Sequence, residues 1–363
     1  MAAAGTAPRA PRPLAFKPDL AVAARRWEAF YAGELIDRPP VCVTAPMPGL
    51  TPGPWPTYRE RAHADPDALI DRVLAIGGAT FWGGETVPAW YPGFGPDEIA
   101  AFCGGRLQWD PDSGDTSWSV PFVEDWDRQL PLRLIGDDPM WRRVLGLYRR
   151  AADRFAGKML LSPLDLHSNM DLLSAARGPE RLCMDLLDCP DTIDRAMESA
   201  RAVFPAVWKA VAEAGRMDEL GYCQGIFSTE GAAYLQCDFS CMMSPGQFRR
   251  WVLPALEEEA ALVRHHVYHW DGPGALVHTD ALVASPVLHT LSYVPGEGRG
   301  TCADYVDLYR RVQARGKAVQ VWGSAEVIKQ VHPQIRPEKV FYSCSVDTRD
   351  EAERLLEWFA RNT

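Results

Sequence analysis

Short apolar runs alternate along the chain with longer segments in which apolar residues recur at helical spacing. This alternation is typical of a mostly parallel sheet that is covered by helices. There are eight such runs, which is the number of strands in a (β/α)8 barrel. The pattern therefore predicts an α/β fold of the TIM-barrel type. The predicted strands are Val41–Ala45, Ala79–Trp82, Lys158–Ser162, Glu219–Cys223, Val267–Trp270, Thr290–Val294, Ala318–Trp322 and Val340–Cys344.

Local signals mark the ends of several predicted helices. Ser244–Gln247 has the sequence of a capping box with proline at the first helical position, and Pro254 should bend the helix that follows. Thr348–Glu351 has the sequence of a second capping box. Pro190 and Gly215 are expected to open and close another amphipathic helix.

The sequence shows no internal repeat and no low-complexity linker, so residues 14–363 are expected to form one barrel domain. Met1–Pro13 is rich in Ala, Pro and Arg, and we interpret it as a disordered lead-in. Gly83–Arg128 is rich in Gly, Pro, Asp and Trp and has little periodicity. Because a loop of this length is usually functional when it is ordered, we expect an insertion after the second strand that lies over the barrel mouth.

The charge balance excludes some classes of partner. The chain has 38 Lys and Arg against 48 Asp and Glu, a formal charge of -10, and no basic run. This argues against binding to nucleic acid or to an anionic membrane surface, so a small molecule is the expected partner. No apolar stretch approaches the roughly 20 residues that span a bilayer. The nine cysteines include no C-x-x-C pair, which favours reduced thiols in the cytoplasm.

Metal-ligating residue types follow the predicted strands late in the chain. His269 and Asp271 end one strand two residues apart, so their side chains should point to the same side. Glu297 and Cys344 lie at the ends of two later strands, and in a barrel these ends are neighbours around the rim. One imidazole, two carboxylates and one thiolate could bind zinc or a similar divalent ion. The alternatives are that the H-x-D pattern carries no function and that Cys344 is a core thiol.

The second half of the chain resembles the uroporphyrinogen decarboxylase superfamily, in particular its corrinoid-linked methyltransferase branch. The segment Asp238–Phe248, followed by Leu253 and Pro254, is similar to the aspartate, Ser-Pro and helix pattern of that superfamily. A more distant resemblance is to cobalamin-independent methionine synthase. The resemblance covers the chain from Lys158 onward and is weak before it, apart from Asp37–Pro40. It implies a TIM barrel.

The resemblance also implies metal ligands. The methyltransferases carry H-x-C-G, and methionine synthase carries a later Glu, before a Cys at the last strand. These positions correspond to His269, Asp271, Glu297 and Cys344. Asp271 stands where the methyltransferases have Cys, which makes the donor set harder and leaves the identity of the metal open. The arginine-rich signature of true uroporphyrinogen decarboxylases is absent, which argues against a tetrapyrrole substrate.

Further residues are candidates for contact with the substrate. Asp165–Met170 resembles the D-x-H-x-x-G motif of cobalamin-binding domains, but Met170 replaces its Gly. We therefore interpret it as a polar strand end, where His167 and Asn169 line the pocket or, alternatively, cap the next helix. Gln224 and Asp238 are expected to orient the substrate together with His167.

Of the 13 tryptophans, Trp270 and Trp322, each at the end of a predicted strand, are the two candidates for substrate binding. Their rings could bind a methylated cation, although hydrophobic packing is the alternative.

Three hypotheses about function follow. The first is a metal-dependent methyltransferase, with Zn²⁺ or another divalent ion, which moves a methyl group between a small substrate or a corrinoid and a thiol acceptor. Methylcobalamin would then be carried by a separate corrinoid protein. The second is a decarboxylase or lyase of a small carboxylated substrate, with Asp238 or His167 as the acid and no essential metal. The third is a barrel that binds a ligand without catalysis.

Overall fold

The computed structural model describes residues 9–110, 112 and 115–363. Of the segment expected to be a disordered lead-in, residues 1–8 lie outside the described residues. Residues 9–13 are described and are not part of a helix or strand. Arg12 within them forms an ion pair of 2.8 Å with Glu219. Both side chains are at least partly exposed, so this ion pair is a surface contact.

Strands are distributed along the whole of the described chain. They are Val41–Pro46 (β1), Thr80–Gly84 (β2), Ala89–Trp90 (β3), Arg106–Gln108 (β4), Trp118–Val120 (β5), Leu160–Leu161 (β6), Tyr222–Gln224 (β7), Ile226–Ser228 (β8), Ala232–Gln236 (β9), His265–Asp271 (β10), Thr290–Val294 (β11), Ala318–Trp322 (β12) and Val340–Ser345 (β13).

Helices separate most of these strands. The α-helices are Leu20–Ala32 (α1), Tyr58–His63 (α2), Pro66–Ala79 (α3), Glu98–Phe102 (α4), Trp126–Gln129 (α5), Pro139–Phe155 (α6), Asn169–Arg177 (α7), Pro179–Asp188 (α8), Pro190–Ala214 (α9), Met217–Leu220 (α10), Pro245–Gln247 (α11), Leu253–Val263 (α12), Thr279–Ala284 (α13), Val306–Ala314 (α14), Ala325–Val331 (α15) and Arg349–Asn362 (α16). Short 3₁₀ helices are Asp238–Met242, Pro273–His278, Cys302–Tyr305, His332–Gln334 and Pro337–Lys339, and Phe248–Val252 is π-helical.

The central element is a seven-stranded sheet in the order β2-β1-β13-β12-β11-β10-β9. Adjacent strands of this sheet are parallel to one another, except that β1 and β2 are antiparallel. Three two-stranded pairs accompany it: β3 with β6, β4 with β5 and β7 with β8. Within the described residues, backbone hydrogen bonds do not close these strands into a barrel. The chain therefore has a mixed α/β fold with a mostly parallel sheet.

Two predicted strands have the observed bounds, and the other six differ from the observed strands at one end or at both. Thr290–Val294 and Ala318–Trp322 are strands as predicted. The predicted strand Glu219–Cys223 begins only at Tyr222, because the preceding residues form α10 and Gly221 leaves the helix with φ of 112°. The sequence reasoning missed β9, which is short and contains a polar Gln236 between two buried neighbours. It is the strand that brings the chain to Asp238.

The helix ends that the sequence predicted are found in the structure. Ser244 and Gln247 form the reciprocal hydrogen bonds of a capping box, as predicted. The expected bend at Pro254 takes the form of the π-helical turn Phe248–Val252, since a proline nitrogen cannot donate to the preceding turn. The helix opened by Pro190 is capped by Gly215 as predicted. None of the described helices is both long enough and apolar enough to cross a bilayer.

The segment Gly83–Arg128 is folded and partly buried. It contains β3, α4, the antiparallel pair β4–β5 and most of α5. Several of its apolar side chains, including Phe94 and Phe102, are fully buried, whereas Trp118 is partly exposed. The segment is therefore an integral layer of the protein, and it brings Asp97 toward the polar residues described below.

Candidate metal site

The end of β10 presents two polar side chains on one face. His269 and Asp271 are partly exposed, whereas the intervening Trp270 is buried. This is the period of two that an extended strand imposes. Trp270 is 1 % exposed and its indole N–H donates to the carbonyl of Ala275 at 2.9 Å. Its prediction as a substrate-binding residue is therefore corrected, because its ring packs on the opposite face from His269.

Asp238 comes to this face from the neighbouring strand. It begins the 3₁₀ helix that follows β9, and β9 pairs with β10 so that Gln236 lies beside His269. The His269 Nε2 atom is 4.0 Å from Asp238 Oδ1. One ligand atom each of Asp238, His269 and Asp271 lies within 4.8 Å of the others. Asp238 Oδ1 is buried and has no hydrogen-bond partner among the described residues.

His167 and Asp171 border this triad. His167 Nδ1 is 3.7 Å from a carboxylate oxygen of Asp171 and 3.7 Å from one of Asp238. Both residues come from the loop and first turn of α7, which packs against the 3₁₀ helix of Asp238. Asp171 accepts the main-chain N–H of Asp238 at 2.9 Å and that of Phe239 at 2.8 Å. The predicted catalytic residues His167 and Asp238 are thus neighbours.

The electrostatic environment favours a positive charge in this region. Burial alone would lower the pKa of His167, but the surrounding carboxylates, Asp171 foremost, raise it above its ordinary value. Burial raises the pKa of Asp171, and the Asp238 charge raises it further. Burial and the charge of Asp238 also raise the pKa of Asp271. A bound cation would relieve the repulsion among these carboxylates.

Two further aspartates lie near His167. Asp97, in the segment after β3, accepts the main-chain N–H of Ser119 at 2.9 Å, and burial raises the pKa of its carboxyl. Asp165, after β6, accepts the side-chain amide of Gln236 at 3.0 Å. The charges of both aspartates contribute to the raised pKa of His167. Strands β3, β6 and β10 therefore contribute to one acidic region at their carboxyl ends.

Two of the four predicted metal ligands do not belong to the triad. Glu297 is exposed in the loop after β11. For Cys344 the reason is strand register: His269, Ser292 and Ser343 lie on one face when the pairing is followed from β10 to β13. Cys344 shares the opposite face with Tyr342.

The opposite face of the sheet is the one covered by helices. Tyr342 packs on Phe359 of α16 with ring centroids 4.8 Å apart. The Cys344 thiol is half-buried there, and burial raises its pKa to about 11. The four-ligand prediction is therefore corrected to the triad, in which Asp238 joins His269 and Asp271.

The remaining predicted residues have different environments. Gln224 is half-buried; its carbonyl oxygen accepts the Tyr234 N–H at 2.9 Å and its amide is 3.4 Å from Asp165. Asn169 is fully buried with φ of 48°, and its amide donates to the carbonyl of Gln236 at 3.1 Å. Asn169 therefore joins α7 to β9 and does not line an open pocket. Trp322 is 37 % exposed at the end of β12.

The triad fits a divalent ion with modest adjustment. An ion bound tetrahedrally at about 2.1 Å separates its ligand atoms by about 3.4 Å. The donors of the triad are within 4.8 Å, so rotation of side chains at the strand ends would suffice. One imidazole and two carboxylates suit zinc as well as harder ions such as Mn²⁺. Three protein ligands leave a position for substrate, as in catalytic zinc sites.

Comparisons with known proteins do not assign the chain to a family. No protein-family model matches the chain, and no curated protein matches it significantly. The resemblance to the uroporphyrinogen decarboxylase superfamily therefore stays a prediction.

Proposed function

We propose that the chain is a metal-dependent methyltransferase that moves a methyl group between a small substrate, or a corrinoid on a separate protein, and a thiol acceptor. The observation that carries the proposal is the triad of Asp238, His269 and Asp271 at the ends of adjacent strands. Zn²⁺ is the first candidate ion, because three N and O ligands with one open position are typical of catalytic zinc.

Different residues of the site would bind the metal ion, transfer a proton and contact the substrate. A divalent ion on the triad would supply Lewis acidity, which stabilises a thiolate near neutral pH. His167 would hold a proton at Nδ1, between Asp171 and Asp238, and exchange it with the substrate. Trp322, the half-exposed aromatic ring at the end of β12, would contact the apolar part of the substrate.

A second candidate is decarboxylation of a small carboxylated substrate without an essential metal. The observation that favours it is the position of the His167 imidazole, 3.7 Å from Asp171 and from Asp238, where the surrounding carboxylates raise its pKa and so favour its protonated form. A protonated imidazole can deliver that proton to the carbanion left by loss of CO₂. Loss of activity on removal of metal would separate the first candidate from this one.

We also propose that the strands form one distorted (β/α)8 barrel around the site. Support comes from contacts beyond the seven-stranded sheet: β3 pairs with β6, β6 lies against β7, and β7 lies against β9. This order would continue the sheet from β9 through β7 and β6 to β3, and closure would then join β3 to the edge that β2 forms. A reducing, cytoplasmic setting is part of the proposal, because all nine cysteines are free.

The direct test is metal binding by the triad. Protein purified without an affinity tag should contain about one divalent ion per chain by mass spectrometry, and calorimetric titration of the metal-free protein with Zn²⁺ should show one site. Asp238→Asn and His269→Ala should each weaken binding more than about 100-fold, since even residues behind the ligands cost about 10–100-fold. The melting temperature should change little, because both side chains are partly exposed.

Exposed residues of the same types provide matched controls. Asp307 is 97 % exposed and His63 is exposed on α2, so Asp307→Asn and His63→Ala should bind Zn²⁺ as the wild type does. Methyl transfer from free methylcobalamin to small thiols should require the metal and fail in the ligand variants. Wild-type protein that binds neither Zn²⁺, Mn²⁺ nor Co²⁺ would overturn the proposal.

A further inference from the structure

Asp171 makes an unusual pair of contacts with the start of another element. It lies in the first turn of α7, and its two carboxylate oxygens accept the N–H groups of Asp238 and Phe239, at 2.9 and 2.8 Å. These residues are 67 and 68 positions further along the chain. The Asp171 carboxylate is buried, so water does not compete for these two bonds.

The two N–H groups need this acceptor. Asp238 and Phe239 begin the 3₁₀ helix Asp238–Met242, whose first N–H groups have no partner within the helix. The residue before them, Cys237, forms no side-chain cap. Asp171 thus caps the segment from outside and fixes the main chain at the point where the Asp238 side chain leaves it.

We infer that Asp171 is a positioning residue of the metal site, which sets the place and orientation of the Asp238 ligand. The inference rests on the proposed function, because it assigns a role toward the same ion. A single carboxylate orients both the Asp238 main chain and, at 3.7 Å, the imidazole of His167. Carboxylates behind metal ligands are commonly required for tight binding for this reason.

The chain offers a matched buried aspartate for comparison. Asp185 on α8 accepts the indole N–H of Trp126 at 2.7 Å and pairs with Arg177 at 2.7 Å. It stabilises the fold and contacts no member of the triad. Loss of Asp185 should lower stability without changing the affinity of the folded protein for metal.

The experiment compares Asp171→Asn with Asp185→Asn by calorimetric titration with Zn²⁺, at a temperature where both are folded by circular dichroism. Asp171→Asn places an amide NH₂ opposite a main-chain N–H, so one cap bond is lost. Affinity should fall about 10–100-fold in Asp171→Asn and stay within about twofold of wild type in Asp185→Asn. The visible spectrum of bound Co²⁺ should also shift in Asp171→Asn alone, because ligand geometry changes.

Asp171→Glu serves as the second variant, in case Asp171→Asn does not fold. It keeps the charge but moves the carboxylate by one methylene, so a positioning role predicts weaker binding in it as well. Wild-type affinity and an unchanged Co²⁺ spectrum in a folded Asp171 variant, alongside lost binding in Asp238→Asn, would overturn the inference and leave the proposed function intact. Absence of metal binding by the wild type would instead refute the proposed function.

Discussion

Charged side chains gather at both ends of the central sheet, but their partners differ. At the amino end of β1, Glu85 is fully buried and accepts hydrogen bonds from Arg26, Arg38 and the N–H of Val41, at 2.5 to 3.1 Å. The ammonium group of Lys17 nearby donates to the carbonyl of Gly84 at 2.6 Å. Positive and negative groups therefore alternate and satisfy one another.

At the carboxyl end, like charges face each other. Among the residues that the structure describes, the neighbours of this acidic region that can carry positive charge are the imidazoles of His167 and His269. Within the described residues, no Lys or Arg forms an ion pair with the carboxylates of this acidic region. The aspartates concerned are Asp97, Asp165, Asp171, Asp238 and Asp271.

The difference separates structural charges from functional ones. A buried ion pair whose hydrogen bonds are all made can hold elements together, although its net contribution to stability is small. Carboxylates left without a cation raise each other's pKa and lower stability, so they persist where a ligand uses them. The amino end therefore stabilises the fold, and the carboxyl end is the place where a cation is expected.

The largest expected effect is on the free energy of unfolding, when the ion pairs of Glu85 at the amino end of β1 are removed. Glu85→Ala leaves the buried guanidinium of Arg38 without its carboxylate and should lower the free energy of unfolding by about 3–5 kcal/mol. Urea denaturation at pH 7 measures this loss. Metal affinity of the folded fraction should not change. Asp307→Ala, which removes an exposed ion pair with Arg310, should cost under about 1 kcal/mol. Equal losses in the two variants would contradict the contrast between paired and exposed charges.

A smaller, pH-dependent effect is expected at Glu259. Its Oε1 accepts the Ser168 hydroxyl at 2.6 Å, its Oε2 has no partner among the described residues, and burial raises its pKa to about 8. In the unfolded chain the pKa is about 4.3. Between these values the folded state binds more protons at Glu259, so the contribution of this residue to stability is greatest at low pH and is lost as pH rises toward 8. The slope is at most about 1.4 kcal/mol per pH unit.

Glu259→Gln should remove that slope. Its free energy of unfolding relative to wild type should therefore increase between pH 6 and pH 8, as measured by urea denaturation at several pH values. Glu258→Gln is the matched control, because Glu258 lies on the surface beside Arg201, which lowers its pKa. Parallel pH profiles for wild type and Glu259→Gln would show that the buried carboxyl is not protonated in the folded state.

The smallest effect is expected at Cys344. Because its thiol faces the helices, Cys344→Ser should leave Zn²⁺ affinity unchanged and lower the free energy of unfolding by about 1 kcal/mol or less, the cost of placing a hydroxyl against apolar side chains. Calorimetric titration and thermal melting on one preparation give both values. Cys183→Ser, at another half-buried thiol, is the control. A loss of metal binding in Cys344→Ser would show that Cys344 is a metal ligand. It would also show that its side chain does not lie on the face of the sheet that the helices cover.

Local chemistry accounts for the features that sequence reasoning predicted well. The alternation of side chains within one strand is a property of the extended backbone, so His269 and Asp271 could be placed on one face without a structure. Capping and proline signals act within a few residues, and the box at Ser244–Gln247 is formed as predicted. At Thr348 the cap is also present, but Glu351 bonds back to Asp347 and not to Thr348.

Long-range geometry accounts for what the sequence reasoning missed. The face of Cys344 depends on the register of three successive strand pairings, and a shift of one residue in any of them reverses it. Asp171 and Asp97 carry no local motif, and only packing of α7 and of the segment after β3 brings them to His167. The signal that could have found Asp171 was its spacing of four residues from His167, across the start of α7.

The sequence by itself determined an α/β chain with a mostly parallel sheet, the bounds of β11 and β12, and a His-x-Asp pair at a strand end. These follow from interactions within short stretches of backbone. The tertiary structure decided that Asp238 completes the triad, that Cys344 faces the helices and that Asp171 holds the Asp238 main chain. Such choices depend on strand register and helix packing, which sum contacts between residues far apart in the chain and leave no local pattern to read.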